Sequence, residues 1–222
     1  EKNASDYQIL SLKIENPNLA KVEAKLKNGS KISYEISTSH GATIFNSIII
    51  IACLDLLGKD LNKGLTSLKT LAAQGGRGKT FEMEIDGKKI TIIDDTYNAS
   101  VLSMLAGINH AMNLKKTLGK KRVVAALGDM RELGEKSVEL HEKVANYLIA
   151  SQVDFAVLAG SEMTKAAKIL PQNHYKTFPD SAAASLAIKD LLQDGDILYL
   201  KGSRGSTMEK LIEKLTNQTS AH

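Results

Sequence analysis

The sequence predicts an α/β protein in which a doubly wound parallel sheet with flanking helices follows a smaller unit of antiparallel strands and helices. After Gly119, segments of strand and helix character alternate strictly, a pattern that is typical of parallel sheets with crossover helices. Before that point, alternating strands flank Asn28-Gly29 and Asp86-Gly87, and both dipeptides are strong hairpin signals. With 222 residues, of which 43% are hydrophobic, the chain is long enough to bury a sizeable core.

The first part of the chain changes period along its length. Phe45–Leu57 is apolar and stops at Gly58, which predicts a buried helix with Cys53 in the core. The predicted strands are Tyr7–Glu15, Ala20–Leu26, Lys31–Ile36, Phe81–Ile85 and Lys89–Ile93, and the other predicted helices are Leu61–Leu71 and Val101–Leu118.

We expect a domain boundary at Gly119-Lys120-Lys121, which divides the chain into residues 1–118 and 119–222. The predicted strands of the second part are Arg122–Leu127, Phe155–Ala159, Tyr175–Phe178 and Ile197–Leu200. Its predicted helices are Ser137–Ile149, Thr164–Ile169, Ala182–Leu192 and Thr207–Leu215.

Composition disfavours several classes of protein. The net charge is only +4 and aromatic residues make up 5%, without interleaving with basic residues, so a nucleic-acid interface is not expected. The longest apolar stretch, Ile48–Leu54, is far shorter than a membrane span, and the start carries no secretion signal. Cys53 is the single cysteine, which excludes an internal disulfide and favours a cytoplasmic protein.

Three predicted strands end in loops that suit ligand binding, since ligands of such sheets sit at the carboxyl ends of strands. These loops are Gly128-Asp129-Met130, Gly160-Ser161-Glu162 and Lys201-Gly202-Ser203-Arg204-Gly205. The last one combines glycines, two cations and a helix start, which favours a carboxylate or a phosphate, although a solvated basic turn is the alternative. Asp129 would pair an ammonium group or bond to the loop backbone, and His141 is by default a structural histidine.

A second candidate site lies between Asp94 and Ser100, where an apolar strand leads into a helix. Asp95 would bind ribose hydroxyls or a cation while Tyr97 and Asn98 face a ring; alternatively, a side chain of this run only caps the helix.

Gly78-Lys79-Thr80 does not complete a phosphate-binding P-loop. Ala73 takes the place of the first glycine, and a helix precedes where a strand is required. Arg77 in this turn still suits a phosphate.

Several ordered motifs together resemble the MurF-type Mur ligases over essentially the whole chain. The resemblance is carried by Ile93–Ala99 with Ser103-Met104, by Leu127–Gly134 with His141, by Leu200–Arg204 with Met208-Glu209, and by Gly76-Arg77 and Asn46. It implies that residues 1–118 are the C-terminal portion of the central ATP-binding domain, that is, a partial mixed α/β domain. Residues 119–222 would be the C-terminal Rossmann-like domain.

The resemblance implies a cytoplasmic, ATP- and Mg²⁺-dependent ligase of peptidoglycan precursor synthesis. Such enzymes join D-alanyl-D-alanine to UDP-N-acetylmuramoyl-tripeptide through an acyl phosphate. The UDP-sugar domain, the P-loop and the metal ligands have no counterpart here, so we expect the chain alone to be inactive, with the missing N-terminal half either upstream in the same chain or absent.

The resemblance also assigns roles to individual residues, without identifying a catalytic residue. Asn46 and Asn98 would contact adenine, Asp95 ribose and Arg77 the phosphates, with Tyr97 facing the nucleotide. The substrate-binding residues would be Asp129, His141, Lys201, Ser203 and Arg204.

Two alternatives to a ligase fragment remain open at this point. One is a non-catalytic relative that acts as a binding module with a partner supplying the missing half. The other is an unrelated dinucleotide-binding domain, which is disfavoured because no complete GxGxxG follows a predicted strand.

Overall fold

The computed structural model describes residues 5–71 and 73–219, and these divide into two units, Glu1–Ala73 and Gln74–His222. Each unit has its own sheet and its own hydrophobic core. Among the described residues, none of the helices combines the length and the apolar character that a membrane crossing demands.

The first unit is a three-stranded antiparallel sheet covered by two helices. Its elements are β1 (Gln8–Asn16), β2 (Leu19–Lys25), β3 (Lys31–Ile36), α1 (Gly41–Leu56) and α2 (Leu61–Lys69). Alternate residues of β2 and β3 point to the helices, so that Val22 and Ile36 are buried against Ile44 and Ile51 of α1. Within this core the Tyr34 hydroxyl and the Ser47 Oγ are 2.6 Å apart.

Helix α1 is only half buried, which corrects the expectation of a buried helix. The face with Ile44, Ile48 and Ile51 packs on the sheet, whereas Phe45 and Leu56 are 61% and 64% exposed. Cys53 is also exposed, so its prediction as a core residue is wrong. An apolar segment predicts a helix, but it does not show how many faces of that helix are buried.

The second unit is a six-stranded mixed sheet in the order β4-β5-β9-β6-β7-β8. Its strands are β4 (Lys79–Ile85), β5 (Lys88–Asp95), β6 (Val123–Gly128), β7 (Phe155–Ala159), β8 (Tyr175–Phe178) and β9 (Ile197–Lys201). Its helices are α3 (Val101–Leu118), α4 (Ser137–Ala150), α5 (Ser161–Ala166), α6 (Ser181–Leu191) and α7 (Glu209–Thr219).

Strand β4 pairs antiparallel with β5, and every other pairing in this sheet is parallel. The Asp86-Gly87 hairpin is confirmed: φ is 50° at Asp86 and 75° at Gly87, the conformation for which such a dipeptide is suited.

Helices cover both faces of this sheet. Ile108 of α3 and Val144 of α4 pack on one face, and Ile188 of α6 and Leu211 of α7 pack on the other. The predicted α/β fold with a doubly wound sheet and flanking helices is therefore confirmed, with one antiparallel edge strand in addition.

The division of the chain differs from the boundary expected at Gly119. Residues 74–118 belong to the second unit, because β5 hydrogen-bonds to β9 in parallel, with Asp95 opposite Lys201. Gly119 instead ends α3 in a left-handed conformation. The segment Gly78-Lys79-Thr80 leads into β4, so the strand–loop–helix order of a P-loop does not occur there.

Candidate functional site

The loops after β6, β7 and β9 meet at the carboxyl edge of the second sheet, because these strands lie side by side. The Ser203 backbone N–H donates to the Asp129 carbonyl at 3.1 Å, and the Arg131 N–H donates to the Ser203 Oγ at 2.8 Å. Ser203 is buried, and its hydroxyl holds the β9 loop to the β6 loop. Direct contact of Ser203 with a substrate stays a prediction.

The Asp129 carboxylate bonds to backbone, which is the second of the two alternatives that the sequence left open. It accepts from the N–H of Met163 at 2.8 Å and from that of Glu162 at 3.4 Å, in the first turn of α5. Gly160 makes this possible: its φ is 115°, and a Cβ there would lie 2.3 Å from the Asp129 Cγ. Asp129 therefore caps a helix whose own N-cap residue has no side chain.

His141 is fully buried and links helix α4 to the β6 loop. Its Nε2 accepts from the Met130 N–H at 2.9 Å, and its Nδ1, 2.7 Å from the Ser137 carbonyl, donates to that oxygen. Both ring nitrogens are thus used, which agrees with the expectation of a structural histidine and leaves no free nitrogen for a substrate.

Lys201 and Asp95, which the sequence assigned to different substrates, form one buried ion pair. The Lys201 Nζ lies 2.6 Å from the Asp95 Oδ2, 2.8 Å from the Asn98 carbonyl and 3.4 Å from the Asp95 carbonyl. Lys201 is 3% exposed and Asp95 7% exposed. Lys201 is therefore surrounded by protein acceptors, in contrast to the open dipeptide-binding cation that was expected.

Tyr199 is buried on β9, two residues before Lys201. Burial raises the pKa of its hydroxyl well above the usual value, and the nearby Asp95 charge raises this pKa further. By geometry, the Tyr199 Oη makes no hydrogen bond within the described part of the chain. Asp95 therefore acts on the Tyr199 hydroxyl through its charge.

Asp94, for which the sequence indicated only a helix cap as a possible role, fixes the turn that carries Arg77. Its Oδ2 accepts from the Gly76 N–H at 2.7 Å, and its Oδ1 accepts from the Thr96 hydroxyl at 2.7 Å. The Tyr97 N–H in turn donates to the Gly76 carbonyl at 3.0 Å. The two adjacent carboxylates thus have different roles: Asp94 orders the turn, and Asp95 forms an ion pair with Lys201.

Two guanidinium groups flank the half-exposed ring of Tyr97. The Arg77 Cζ is 4.1 Å and the Arg204 Cζ 5.9 Å from the ring centroid. Arg204 is 71% exposed and lies 3.6 Å from Glu209, so its charge remains open to a ligand. The sequence predicted all three side chains as binding residues, and the structure brings them together.

The two predicted adenine contacts have different surroundings. Asn98 is exposed, and its Oδ1 accepts from the Ala99 N–H at 2.9 Å. Asn46 is exposed on α1 of the first unit. A role of either residue in nucleotide binding stays a prediction.

A cavity of about 300 Å³ opens beside the three loops. Its charged lining consists of Asp129, Asp180, Arg131 and Lys210. Sequence reasoning missed the two cations: Arg131 lies next to Met130 in the predicted loop, and Lys210 lies in the first turn of α7.

Thr207 also lines this cavity, in a strained backbone conformation. Its φ and ψ are 49° and 44°, rare for a β-branched residue, and its Oγ1 is 2.9 Å from the Ser181 Oγ. No sequence signal marks this conformation.

No group of three or more His, Cys, Asp or Glu side chains suited to a metal ion occurs in residues 5–71 and 73–219.

Residues 77–204 match the family model "Mur ligase, glutamate ligase domain", and the chain belongs to this family.

Among the curated relatives, the UDP-N-acetylmuramoyl-tripeptide–D-alanyl-D-alanine ligase of Rickettsia prowazekii is 28% identical over 78% of this chain and 37% of its own length. The enzyme of the same name from Synechocystis is 29% identical over 87% of this chain and 41% of its own length. The chain thus spans about two fifths of the length of these relatives.

Solved structures share the fold. The MurF ligase of Thermotoga maritima, determined in complex with ADP, has a TM-score of 0.77 at 20% identity, over 99% of this chain and 48% of that one. MurF of Acinetobacter baumannii gives 0.79 at 24% identity, over 96% and 45%. The ligase MurC of Thermotoga maritima gives 0.73 at 14% identity, over 99% and 47%, so the fold by itself does not specify the substrate.

Proposed function

We propose that the chain is the C-terminal part of an ATP-dependent ligase that joins D-alanyl-D-alanine to UDP-N-acetylmuramoyl-tripeptide in the cytoplasm. One observation supports this proposal most strongly: the cluster of Arg77, Tyr97 and Arg204 and the charged cavity lie on loops at the same edge of the second sheet. A ligase of this kind must bring a nucleotide phosphate and a zwitterionic dipeptide to the same place.

The nucleotide side consists of groups on the turns around β5. Lys201 holds the Oδ2 of Asp95, so the other carboxylate oxygen is left to accept from ribose hydroxyls. Arg77 would pair with phosphate, for which a guanidinium held on a tight turn is suited. Asn98 would contact adenine, and the face of Tyr97 would pack on the nucleotide.

The dipeptide side is the cavity. Its size fits a small zwitterion, and its lining carries both cationic and anionic side chains. We assign the dipeptide carboxylate to Arg131 or Lys210 and its ammonium to the carboxylates of Asp180 and Asp129. Arg204 lies at the Tyr97 ring, where it would stabilise the acyl phosphate. The dipeptide ammonium would first lose a proton to water, and the free amine would then attack the acyl carbon, so that the amide bond forms and the C–O bond to phosphate breaks.

The remaining parts of the reaction are assigned outside these residues. ATP phosphorylates the terminal carboxylate of the tripeptide, and Mg²⁺ accompanies ATP, but the residues described here offer neither a P-loop nor a metal-ligand set. We therefore propose that the isolated chain does not turn over ATP.

A hybrid enzyme tests this proposal. The N-terminal part of the Bacillus subtilis relative, which is 28% identical to this chain over its matched region, would be fused upstream of Glu1. Phosphate release should require ATP, UDP-N-acetylmuramoyl-tripeptide and D-alanyl-D-alanine together, and the chain alone should release none.

Variants of this hybrid separate the two sides. Arg131→Ala should raise the KM for D-alanyl-D-alanine about tenfold to a hundredfold, the equivalent of one charge-assisted hydrogen bond, and Arg77→Ala should raise the KM for ATP. Lys121→Ala, an exposed residue near the amino end of β6, is the matched control.

The second candidate is a non-catalytic binding module. It is favoured by the internal use of Asp129, His141, Lys201 and Ser203, four residues that the resemblance assigned to substrate. A hybrid that stays inactive, while the chain still binds the separate N-terminal part, would favour this module over the ligase.

A further inference from the structure

We propose that Lys201 is a positioning residue: it fixes the Tyr97–Asn98 loop and orients Asp95 from the neighbouring strand, and it makes no contact with substrate. This inference deepens the proposed function, on which its second experiment rests. Its evidence lies in the contacts, burial and register of one side chain.

All the donors of the Lys201 ammonium group are used within the protein. An ammonium has three N–H donors, and Lys201 has three acceptors within 3.5 Å, of which the Asp95 Oδ2 at 2.6 Å and the Asn98 carbonyl at 2.8 Å are close. With its side chain 4% exposed, Lys201 has neither a spare donor nor a path to a ligand.

The acceptors of Lys201 all lie on one neighbouring strand and its loop. All of them belong to the end of β5 and the loop that follows it, whereas Lys201 ends β9. Since Asp95 lies opposite Lys201 in the parallel register, the ammonium ties two strand ends together at the edge where the loops begin.

The charge of Lys201 neutralises the buried carboxylate of Asp95. A carboxylate that is 7% exposed requires a partner, and the cation provides one while leaving a second carboxylate oxygen uncommitted to Lys201. The Asn98 carbonyl is a neutral acceptor, so it needs a hydrogen-bond donor from Lys201 but not its charge. Lys201 therefore has two functions that can be removed independently: neutralising Asp95 and holding the loop.

Amide hydrogen exchange of the whole chain tests the loop function without a ligand. In Lys201→Met, exchange of the Tyr97 and Ala99 amides should accelerate about tenfold to a hundredfold, while the Met130 amide, bonded to His141, should keep its rate. The matched control is Lys88→Met at the other end of β5, where the ammonium also bonds to carbonyls, those of Leu192 and Lys189.

A double variant separates the two functions. Lys201→Met should lower the Tm of the second unit by about 10 °C, because Asp95 becomes a buried unpaired charge. Asp95→Asn combined with Lys201→Met should restore most of that Tm, yet the Tyr97 and Ala99 amides should still exchange fast. If their protection returns together with the Tm, Lys201 only neutralises Asp95 and the proposal is overturned.

Kinetics of the hybrid ligase give the functional readout. Lys201→Met should raise the KM for ATP at least about tenfold and change the KM for D-alanyl-D-alanine by less than about threefold, and Lys201→Arg should recover part of the loss. A selective rise in the dipeptide KM would overturn the proposal in favour of direct substrate binding. Should the unmodified hybrid be inactive, the proposed function fails, and the exchange experiment still decides on the role of Lys201.

Discussion

Replacing Asp129 with alanine should destabilise the second unit, because this carboxylate serves helix α5 as an N-cap from another loop. The side chain is half-buried and accepts from the Met163 N–H at 2.8 Å and the Glu162 N–H at 3.4 Å. Alanine would leave both donors in the first turn of α5 without this partner.

The structure sets the size of the expected loss. An ordinary N-cap Asp contributes about 1 kcal/mol to the free energy of unfolding. Two acceptor bonds and partial burial bring the expected loss for Asp129→Ala to about 2 kcal/mol. For a unit of this size, that corresponds to a fall in Tm of about 4–8 °C.

Differential scanning calorimetry of the whole chain measures this loss against two matched caps. Asp180 caps α6 with one bond, 2.8 Å from the Ala183 N, and Asp60 caps α2 of the first unit with one bond, 2.9 Å from the Asn62 N. Asp180→Ala should lower the transition of the second unit by about half as much as Asp129→Ala. Asp60→Ala should lower only the transition of the first unit.

An unchanged or raised Tm for Asp129→Ala would refute this reasoning. Removing a carboxylate that waits for a ligand relieves the free protein, whereas removing a helix cap does not. The same measurement therefore shows whether Asp129 caps α5, a role that its remaining lone pairs allow it to combine with the proposed ammonium contact.

Two further predictions concern the unit boundary and the response to alkali. A chain of residues 74–222 should fold cooperatively by itself, whereas residues 119–222 should not, because they lack β4, β5 and α3; circular dichroism melts of both fragments check this, and a folded 119–222 fragment would contradict the boundary at residue 74. The raised pKa of Tyr199 means that ionisation of its hydroxyl does not affect the free energy of unfolding below the unfolded pKa of about 10, and that this free energy falls as the pH rises above that value. Tyr199→Phe should therefore leave the free energy of unfolding near pH 7 unchanged, since the buried hydroxyl makes no hydrogen bond among the described residues. Between about pH 10 and 11, the free energy measured by urea unfolding should fall less steeply in this variant than in the unmodified chain. An equally steep fall would count against this assignment.

Features with local causes could be predicted from the sequence. The Asp86-Gly87 hairpin, the capping of α3 by Ser100 and the strand–helix alternation after Gly119 each depend on residues that are close along the chain. The carboxyl-edge loops followed from this alternation, because parallel strands end at one edge.

Features with distant causes could not be predicted. The boundary at Gly119 was misplaced because the partner of β5 is β9, about a hundred residues later, and no local pattern reports that pairing. For the same reason, Asp95 and Lys201 were assigned to different substrates although they form one ion pair. The helix-capping partner of Asp129 is a backbone N–H, which carries no residue-specific signal in a sequence.

The adjacency of β5 and β9 has a consequence for how the proposed ligase could work. Arg77, Asp95 and Arg204 are carried by turns at one edge of a single hydrogen-bonded sheet, so a hinge elsewhere in the chain cannot draw them apart. Approach of this unit to a bound nucleotide would deliver the phosphate contacts and the dipeptide cavity in the same event. The spacing between the nucleotide contacts and the dipeptide cavity would then be set by the sheet itself, and it would not change with the order in which the substrates bind.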